Sequence, residues 1–226
     1  MSRPAVLFLM ILAPILAICL ALLGLETLHD NLLGWILLAL GVAYPAGGVI
    51  YYFIRREPFW EPAGSGETVR EEKSDRSFWV ILPGFLIVFF APPLEWMYLP
   101  PVIPHTSGLQ WIGLGLLLSC LALRIWARTH IRSLYSGHVE VKAEHKLIMS
   151  GPYRWLRHPG YTGYLLLALG FAVGYSSLVG LVAIAVLLLP GLAYRMNVEE
   201  RLLAGQFGEM YREYSRRTKK IIPGIW

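Results

Sequence analysis

The chain has 226 residues, 56% of them hydrophobic and only 15% charged. Soluble domains carry about 25% charged residues, so the apolar surplus must face lipid, which excludes a water-soluble globule, a disordered chain and a collagen-like repeat. Cys19 and Cys120 each lie inside an apolar run, so no disulfide framework is expected.

Crossing a hydrocarbon core of ~30 Å takes roughly 20 apolar residues in a helix. Residues 5–25 and 32–54 carry no charge, residues 78–98 contain only Glu95, and residues 107–123 stop before Arg124. The first run follows a lone Arg3 and exceeds the 7–15 apolar residues typical of a secretion signal, so it is read as a retained anchor. Residues 161–194 are again uncharged, interrupted by Gly174, Tyr175, Ser176 and Ser177. Small turn-forming residues there predict a helical hairpin. Arms of about 15 residues would each reach ~22 Å, so the hairpin either crosses obliquely or dips into the bilayer. The expected fold is an all-α integral membrane protein of four transmembrane helices plus a C-terminal membrane hairpin, forming a single domain over 1–226.

Lys and Arg collect on cytoplasmic segments of membrane proteins. With the N-terminus inside, all 20 fall on that side: Arg3, then residues 55–76, 124–157 and 195–220. The turns at 26–31 and 99–106 and the hairpin tip have none. Both termini are therefore expected in the cytoplasm, and the net charge of +5 reflects topology and contact with membrane lipid, not a nucleic-acid partner.

Residues 129–160 form a polar connection far longer than the 2–8 residues usual between bundle helices. His138-Val139-Glu140-Val141 alternates like a short extended piece, and Ser150-Gly151-Pro152 signals a turn. Beyond the hairpin, Glu199-Glu200-Arg201-Leu202-Leu203 favours helix, followed by Phe207, Tyr211 and Tyr214 with Gly205 and Gly208 between. Of the histidines in the first connection, His130, His138, His145 and His158, no two sit on one helical turn, so no metal site is expected. A dinucleotide-binding fingerprint, a P-loop and a nucleophile elbow are all missing. Gly113-Leu114-Gly115 lies in a membrane helix, where small residues mark close packing.

The run from His145 to Tyr153, continuing through Arg157-His158-Pro159-Gly160-Tyr161-Thr162-Gly163, resembles the cofactor-binding region of the isoprenylcysteine carboxyl methyltransferase family. Arg195, Glu199-Glu200, Phe207-Gly208, Tyr211, Tyr214, Arg217 and Ile222-Pro223 resemble its C-terminal segment. The likeness covers roughly 110–226, which makes 107–226 the expected methyltransferase core and 1–106 a set of N-terminal spans. It implies methyl transfer from S-adenosylmethionine to a membrane-borne acceptor, most simply the carboxylate of an isoprenylated cysteine or a similar lipid-linked carboxylate. It also implies cofactor contacts at His145, Lys146, Leu147, Ile148, Tyr153, His158, Pro159, Gly160, Tyr161 and Glu199, with Arg195 holding the acceptor carboxylate and Glu200 beside it in the catalytic group. Ile148-Met149 stands where Val-Thr is frequent in the family.

The chemistry is consistent with these roles. A terminal carboxylate with pKa near 3.5 is ionised at neutral pH, so the reaction needs alignment and desolvation more than a general base. Arginine holds carboxylates through paired hydrogen bonds. The plainer reading of Arg195 and Glu199 is an i, i+4 ion pair worth a few tenths of a kcal/mol. That of His158-Pro159 is a helix start, and that of Tyr211, Tyr214 and Arg217 is interfacial anchoring. Competing functions are an NADPH-dependent membrane reductase of the sterol reductase type, which shares an Arg-His-Pro-x-Tyr motif, a phospholipid N-methyltransferase, and a non-enzymatic scaffold or transport subunit. Against the reductase, Gly160 and Tyr164 stand where such enzymes tend to carry Asn and Glu.

Overall fold

The computed structural model describes residues 31–37, 39–40, 68–71, 77–131, 140–142, 147–222 and 224. The expected first span and much of the second lie outside these, as do His138, His145, Lys146 and Pro223; residues 32–37 and 39–40 are helical. The elements are β1 (Thr68–Glu71), α1 (Ser77–Tyr98), α2 (Ser107–Ile131), β2 (Glu140–Lys142), α3 (Pro159–Gly174), α4 (Leu178–Ala183), α5 (Leu189–Phe207) and α6 (Glu209–Arg217). A 3-10 turn covers Gly151–Arg154. A π-helical turn over Ile184–Leu188 joins α4 to α5, making one continuous apolar rod.

Among the described residues three helices are long and apolar enough to cross a membrane, within Ile81–Tyr98, Ser107–His130 and Leu178–Phe207, while Pro159–Gly174 is apolar but shorter. The membrane part is helical, as the hydropathy pattern predicts. The polar connections add a two-stranded antiparallel ribbon in which Arg70 faces Val141 and Glu71 faces Glu140. It accounts for the alternation expected around Glu140-Val141 and brings together the two connections that precede α1 and follow α2.

Two helices outrun their expected ends. α2 does not stop at Leu123 but continues to Ile131, because the Arg124 guanidinium finds the face of Tyr164 at 4.2 Å instead of needing bulk water. The second hairpin arm does not end at Tyr194. The rod from Leu178 runs to Phe207, about 45 Å at 1.5 Å per residue, and so carries Arg195, Glu199 and Glu200 in its C-terminal half. The arms are therefore unequal, with 16 residues in α3 and 30 in the rod.

Glycine sets the spacing of α2 and α3. A Cβ built on Gly113 would lie 2.5 Å from the Gly174 Cα and 2.7 Å from the Gly170 carbonyl oxygen, so these backbones touch directly. Gly115, two residues on, has nothing within 4 Å among the described residues. Leu117, Phe171, Tyr175, Leu188, Leu192 and Met196 fill the common core.

The hairpin tip is pinned by a buried carboxylate. Glu95 on α1 accepts hydrogen bonds from the Ser177 hydroxyl at 2.5 Å and from the N–H groups of Leu178 at 3.1 Å and Val179 at 3.2 Å. Helix N-termini leave such donors unpaired and favour negative charge there. Ser177 in turn caps Gly180 N–H at 2.8 Å. Ser176 takes φ 51°, a left-handed conformation costing roughly 1–2 kcal/mol for a non-glycine residue. The tight reversal into the capped rod imposes it. Tyr175 donates to the Gly34 carbonyl at 2.8 Å, tying the helical segment at 32–37 to the tip.

Candidate functional site

The opposite end of the hairpin gathers the chemistry. Gly151 has φ +61°, and a Cβ there would meet the His130 ring at 2.5 Å, so both its conformation and its neighbour require glycine. His130 is thereby a packing residue of α2, bonded through Nδ1 to the Trp126 carbonyl at 2.9 Å. After the 3-10 turn the chain extends and pairs with the C-terminal segment. Leu156 forms a parallel bridge with Lys219, Arg157 N–H donates to the Lys219 carbonyl at 2.7 Å, and His158 N–H donates to the Lys220 carbonyl at 3.0 Å. Tyr214 donates to the Tyr153 carbonyl at 2.7 Å and Thr162 to the Ile221 carbonyl at 2.8 Å. Pro159 then opens α3 at a position where its missing N–H costs nothing.

This strap delivers two cationic side chains to α5. The Arg157 Nε donates to Glu200 Oε1 at 2.7 Å, while its Nη1 donates to the carbonyls of Ser215 at 2.8 Å and Thr218 at 2.5 Å. Lys220 reaches the other Glu200 oxygen at 3.0 Å and donates to Asn197 Oδ1 at 2.7 Å. His158 stands between two carboxylates, its Nδ1 3.3 Å from Glu199 Oε2 and its Nε2 3.3 Å from Glu200 Oε1. Burial pulls the His158 pKa down, but the hydrogen bonds and charges of Glu199 and Glu200 outweigh it and hold the ring above its ordinary value.

Glu200 is thus enclosed by Arg157, His158 and Lys220, whereas Glu199 has His158 on one side and is 30% exposed. Arg195 Nε donates to the Tyr161 hydroxyl at 2.8 Å, and Tyr161 and Arg195 both act on the Glu199 carboxylate. A chain of contacts therefore runs Arg195, Tyr161, Glu199, His158, Glu200. Arg195 and Glu199 attract each other, as the expected i, i+4 pairing requires, and His158 serves both as helix start and as a bridge between carboxylates.

Of the residues singled out by sequence, Arg195, Glu199, Glu200, His158 and Tyr161 converge, and Pro159 and Gly160 form the first turn beside them. Tyr153 is held through its carbonyl in the strap, and Leu147 and Ile148 are half-buried in the segment leading to it. His145 and Lys146 lie outside the described residues. Tyr211 and Tyr214 are buried at 4% and 7% exposure, which rules out interfacial anchoring; α6 turns them inward and shows solvent its Arg212–Glu209 and Arg217–Glu213 ion pairs. Sequence reasoning missed Arg157 and Lys220 as a clamp on Glu200, although Arg157 lies in the quoted motif. It also missed Arg124, which stacks on Tyr164 and donates to the Gly160 carbonyl at 3.5 Å. The Tyr211 hydroxyl is buried with no hydrogen-bond partner among the described residues.

Comparison with known proteins relates the middle of the chain to one family. The profile of the Isoprenylcysteine carboxyl methyltransferase (ICMT) family matches residues 111–205, the stretch holding α2, the start of the strap, the hairpin and Glu199-Glu200. Residues 111–205 are similar to this family. Among similar proteins, Protein-S-isoprenylcysteine O-methyltransferase B of Arabidopsis thaliana is 32% identical over 120 residues, covering 52% of this chain and 58% of the relative. Protein-S-isoprenylcysteine O-methyltransferase A of the same plant is 34% identical over 87 residues, 38% of this chain and 44% of the relative. The Schizosaccharomyces pombe Protein-S-isoprenylcysteine O-methyltransferase is 29% identical over 145 residues, 63% of this chain and 55% of the relative. The chain spans under two thirds of the length of these relatives. A methyltransferase family implies a methyl donor, and the ICMT segment carries every converging residue of the site except Arg157's partners Ser215 and Thr218 and the clamp residue Lys220.

Proposed function

We propose that the chain is a membrane-embedded methyltransferase that moves a methyl group from S-adenosylmethionine to the carboxylate of an isoprenylated cysteine or a similar lipid-linked acceptor. The observation that carries this reading is the joining of Arg195, Tyr161, Glu199 and His158 at the inner end of two apolar helices, inside the family-matched segment.

The donor set suits the cofactor. Glu199 offers a partly exposed carboxylate to an ammonium, and the apolar pair Leu147 and Ile148, with Tyr153 nearby in the chain, supplies surface for a flat heterocycle. When bound, the cofactor supplies a methyl on a positively charged sulfur, which a carboxylate oxygen attacks as the sulfur leaves with the bonding pair. Arg195 orients that carboxylate, since a guanidinium holds carboxylates through paired hydrogen bonds. Tyr161 fixes the guanidinium through its hydroxyl. Packing the reacting groups between apolar helices excludes water and strengthens these contacts. Glu200, whose carboxylate is enclosed by Arg157, His158 and Lys220, acts here as a positioning residue that locks the strap to α5. The site then lies on the cytoplasmic face, where all the basic segments fall, with both termini on that side and 107–226 as the working unit of a single membrane domain. Trp126 and Trp155, 41% and 49% exposed with rings 5.7 Å apart, form an aromatic edge suited to the headgroup region beside it.

Purified protein in lipid, given methyl-labelled S-adenosylmethionine and a panel of prenylated cysteines and phospholipids, tests the reading. Label is expected in the prenylcysteine carboxylate as a base-labile ester. Absence of cofactor binding at millimolar concentration overturns it, and label confined to a phospholipid amine replaces the acceptor.

A further inference from the structure

His158 is placed to do more than brace the site. Its ring is 6% exposed and bridges Glu199 and Glu200 at 3.3 Å each. The groups around it come from every packed element. α5 brings Glu199, Glu200 and Arg195; the strap brings Arg157 and Lys220; α3 brings Tyr161, with ring centroids 5.5 Å apart; and Tyr211 and Tyr214 on α6 sit close enough to interact with Arg157, Tyr211 also with the carboxylates.

The charge count is uneven. Two carboxylates, Glu199 and Glu200, face three permanent cations, Arg157, Lys220 and Arg195. Glu200 is already served by Arg157 and Lys220, so a proton on His158 is held chiefly for Glu199. A cofactor bearing an ammonium, a sulfonium and one carboxylate brings a further positive charge to a site where protonated His158 already leaves the cations in excess. Like charges brought together in a desolvated site drive the more acidic cation to neutralise.

We propose that His158 and the ammonium of the incoming cofactor compete for Glu199, so that cofactor binding expels the proton from His158. This rests on the methyltransferase reading above. The proton leaves the imidazolium for solvent and the ammonium takes its place on Glu199. Neutral His158 keeps one N–H, which stays on Glu200 or turns to the ligand. Linkage then makes cofactor affinity rise with pH wherever free His158 is protonated and bound His158 is not.

The test is calorimetric titration of S-adenosylmethionine into the full chain in lipid nanodiscs, between roughly pH 5.5 and 7, below the range of about 7.7–8.0 where an α-amino group itself loses its proton. Buffers of different ionisation enthalpy count the protons released. Affinity is expected to climb by up to tenfold per pH unit, with close to one proton released at the low end. His158→Asn, which keeps a donor but does not titrate there, is expected to flatten the slope and abolish release. Binding with no proton release and no pH slope in the unsubstituted protein overturns the proposal and leaves the methyltransferase reading standing. No binding at any pH removes that reading as well. Should His158→Asn fail to fold, proton counting on the unsubstituted chain decides alone.

Discussion

Gly113→Ala and Gly115→Ala make the same chemical change two residues apart on α2, and the packing predicts opposite results. At Gly113 the new methyl would lie 2.5 Å from the Gly174 Cα and 2.7 Å from the Gly174 nitrogen and the Gly170 carbonyl oxygen. Carbon contacts settle at about 3.5–4.0 Å, so the backbones of α2 and α3 must part by roughly 1 Å. No flexible side chain is available to yield, which puts the cost at the upper part of the 1–3 kcal/mol typical of overpacking. The helix propensity gained in replacing glycine returns at most about 1 kcal/mol, leaving a net loss of about 2 kcal/mol. Gly115 is open among the described residues, so its alanine variant keeps the propensity term and is expected to fall between neutral and about 1 kcal/mol more stable. Denaturant or thermal unfolding of the three proteins in one detergent measures both. Equal losses in the two variants, or a Gly113→Ala protein as stable as its parent, would refute direct backbone contact between α2 and α3.

Glu95→Gln removes the charge from an acceptor of three hydrogen bonds at the hairpin tip and is expected to cost about 1–3 kcal/mol, read by unfolding. Because the tip is the far end of the hairpin, cofactor affinity should stay unchanged, and a large loss of affinity would contradict the architecture. Tyr214→Phe deletes a hydroxyl that holds Tyr153 at 2.7 Å and should cost about 1 kcal/mol, while Tyr211→Phe deletes an unpartnered one and should be neutral or slightly stabilising. Burial raises the Tyr214 hydroxyl to about 12 against the opposing pull of Arg157 and Thr218, so neither variant should alter behaviour near neutrality by titration. The pKa of His158 is raised in the fold above its ordinary 6.5, so its stabilising contribution is complete below that value and is lost as pH rises through the folded value. The ligand-free protein should lose stability across that window while cofactor affinity increases, and His158→Asn should remove the decline in stability.

The apolar runs told most about the frame and least about the site. Residues 78–98 and the tip at 174–177 match α1 and the observed reversal closely, because charge and small turn residues mark where a helix leaves lipid. Arg124 shows the limit of the same signal: a charge reads as an end in sequence, but its partner, the face of Tyr164, lies forty residues on in a different helix and carries no local signal. The rod was cut short at Tyr194 for the same reason. The resemblance named Arg195, Glu199 and His158, yet nothing in their spacing could say that His158 would bridge the carboxylates or that Tyr161 would accept from Arg195. Those are products of how α3 and α5 cross. The role of Glu200 shows the limit clearly, since a neighbour of Glu199 in sequence is turned into the strap's anchor by Arg157 and Lys220, which arrive from two other segments.

The π turn at Ile184–Leu188 gives the rod an unusual tolerance. A turn of this kind houses about one residue more than the α-helical path around it needs. In a uniform helix a single deletion swings everything beyond it by about 100°, which here would carry Arg195 and Glu199 off the face they share with Tyr161 and His158. Removal of one residue from the wide turn instead closes it to ordinary winding, with the Glu95-capped end and the inner end keeping their angular phase. The second half of the rod is therefore insulated from a one-residue change in its own length at this place, and the site geometry has a spare residue built into the helix that carries it.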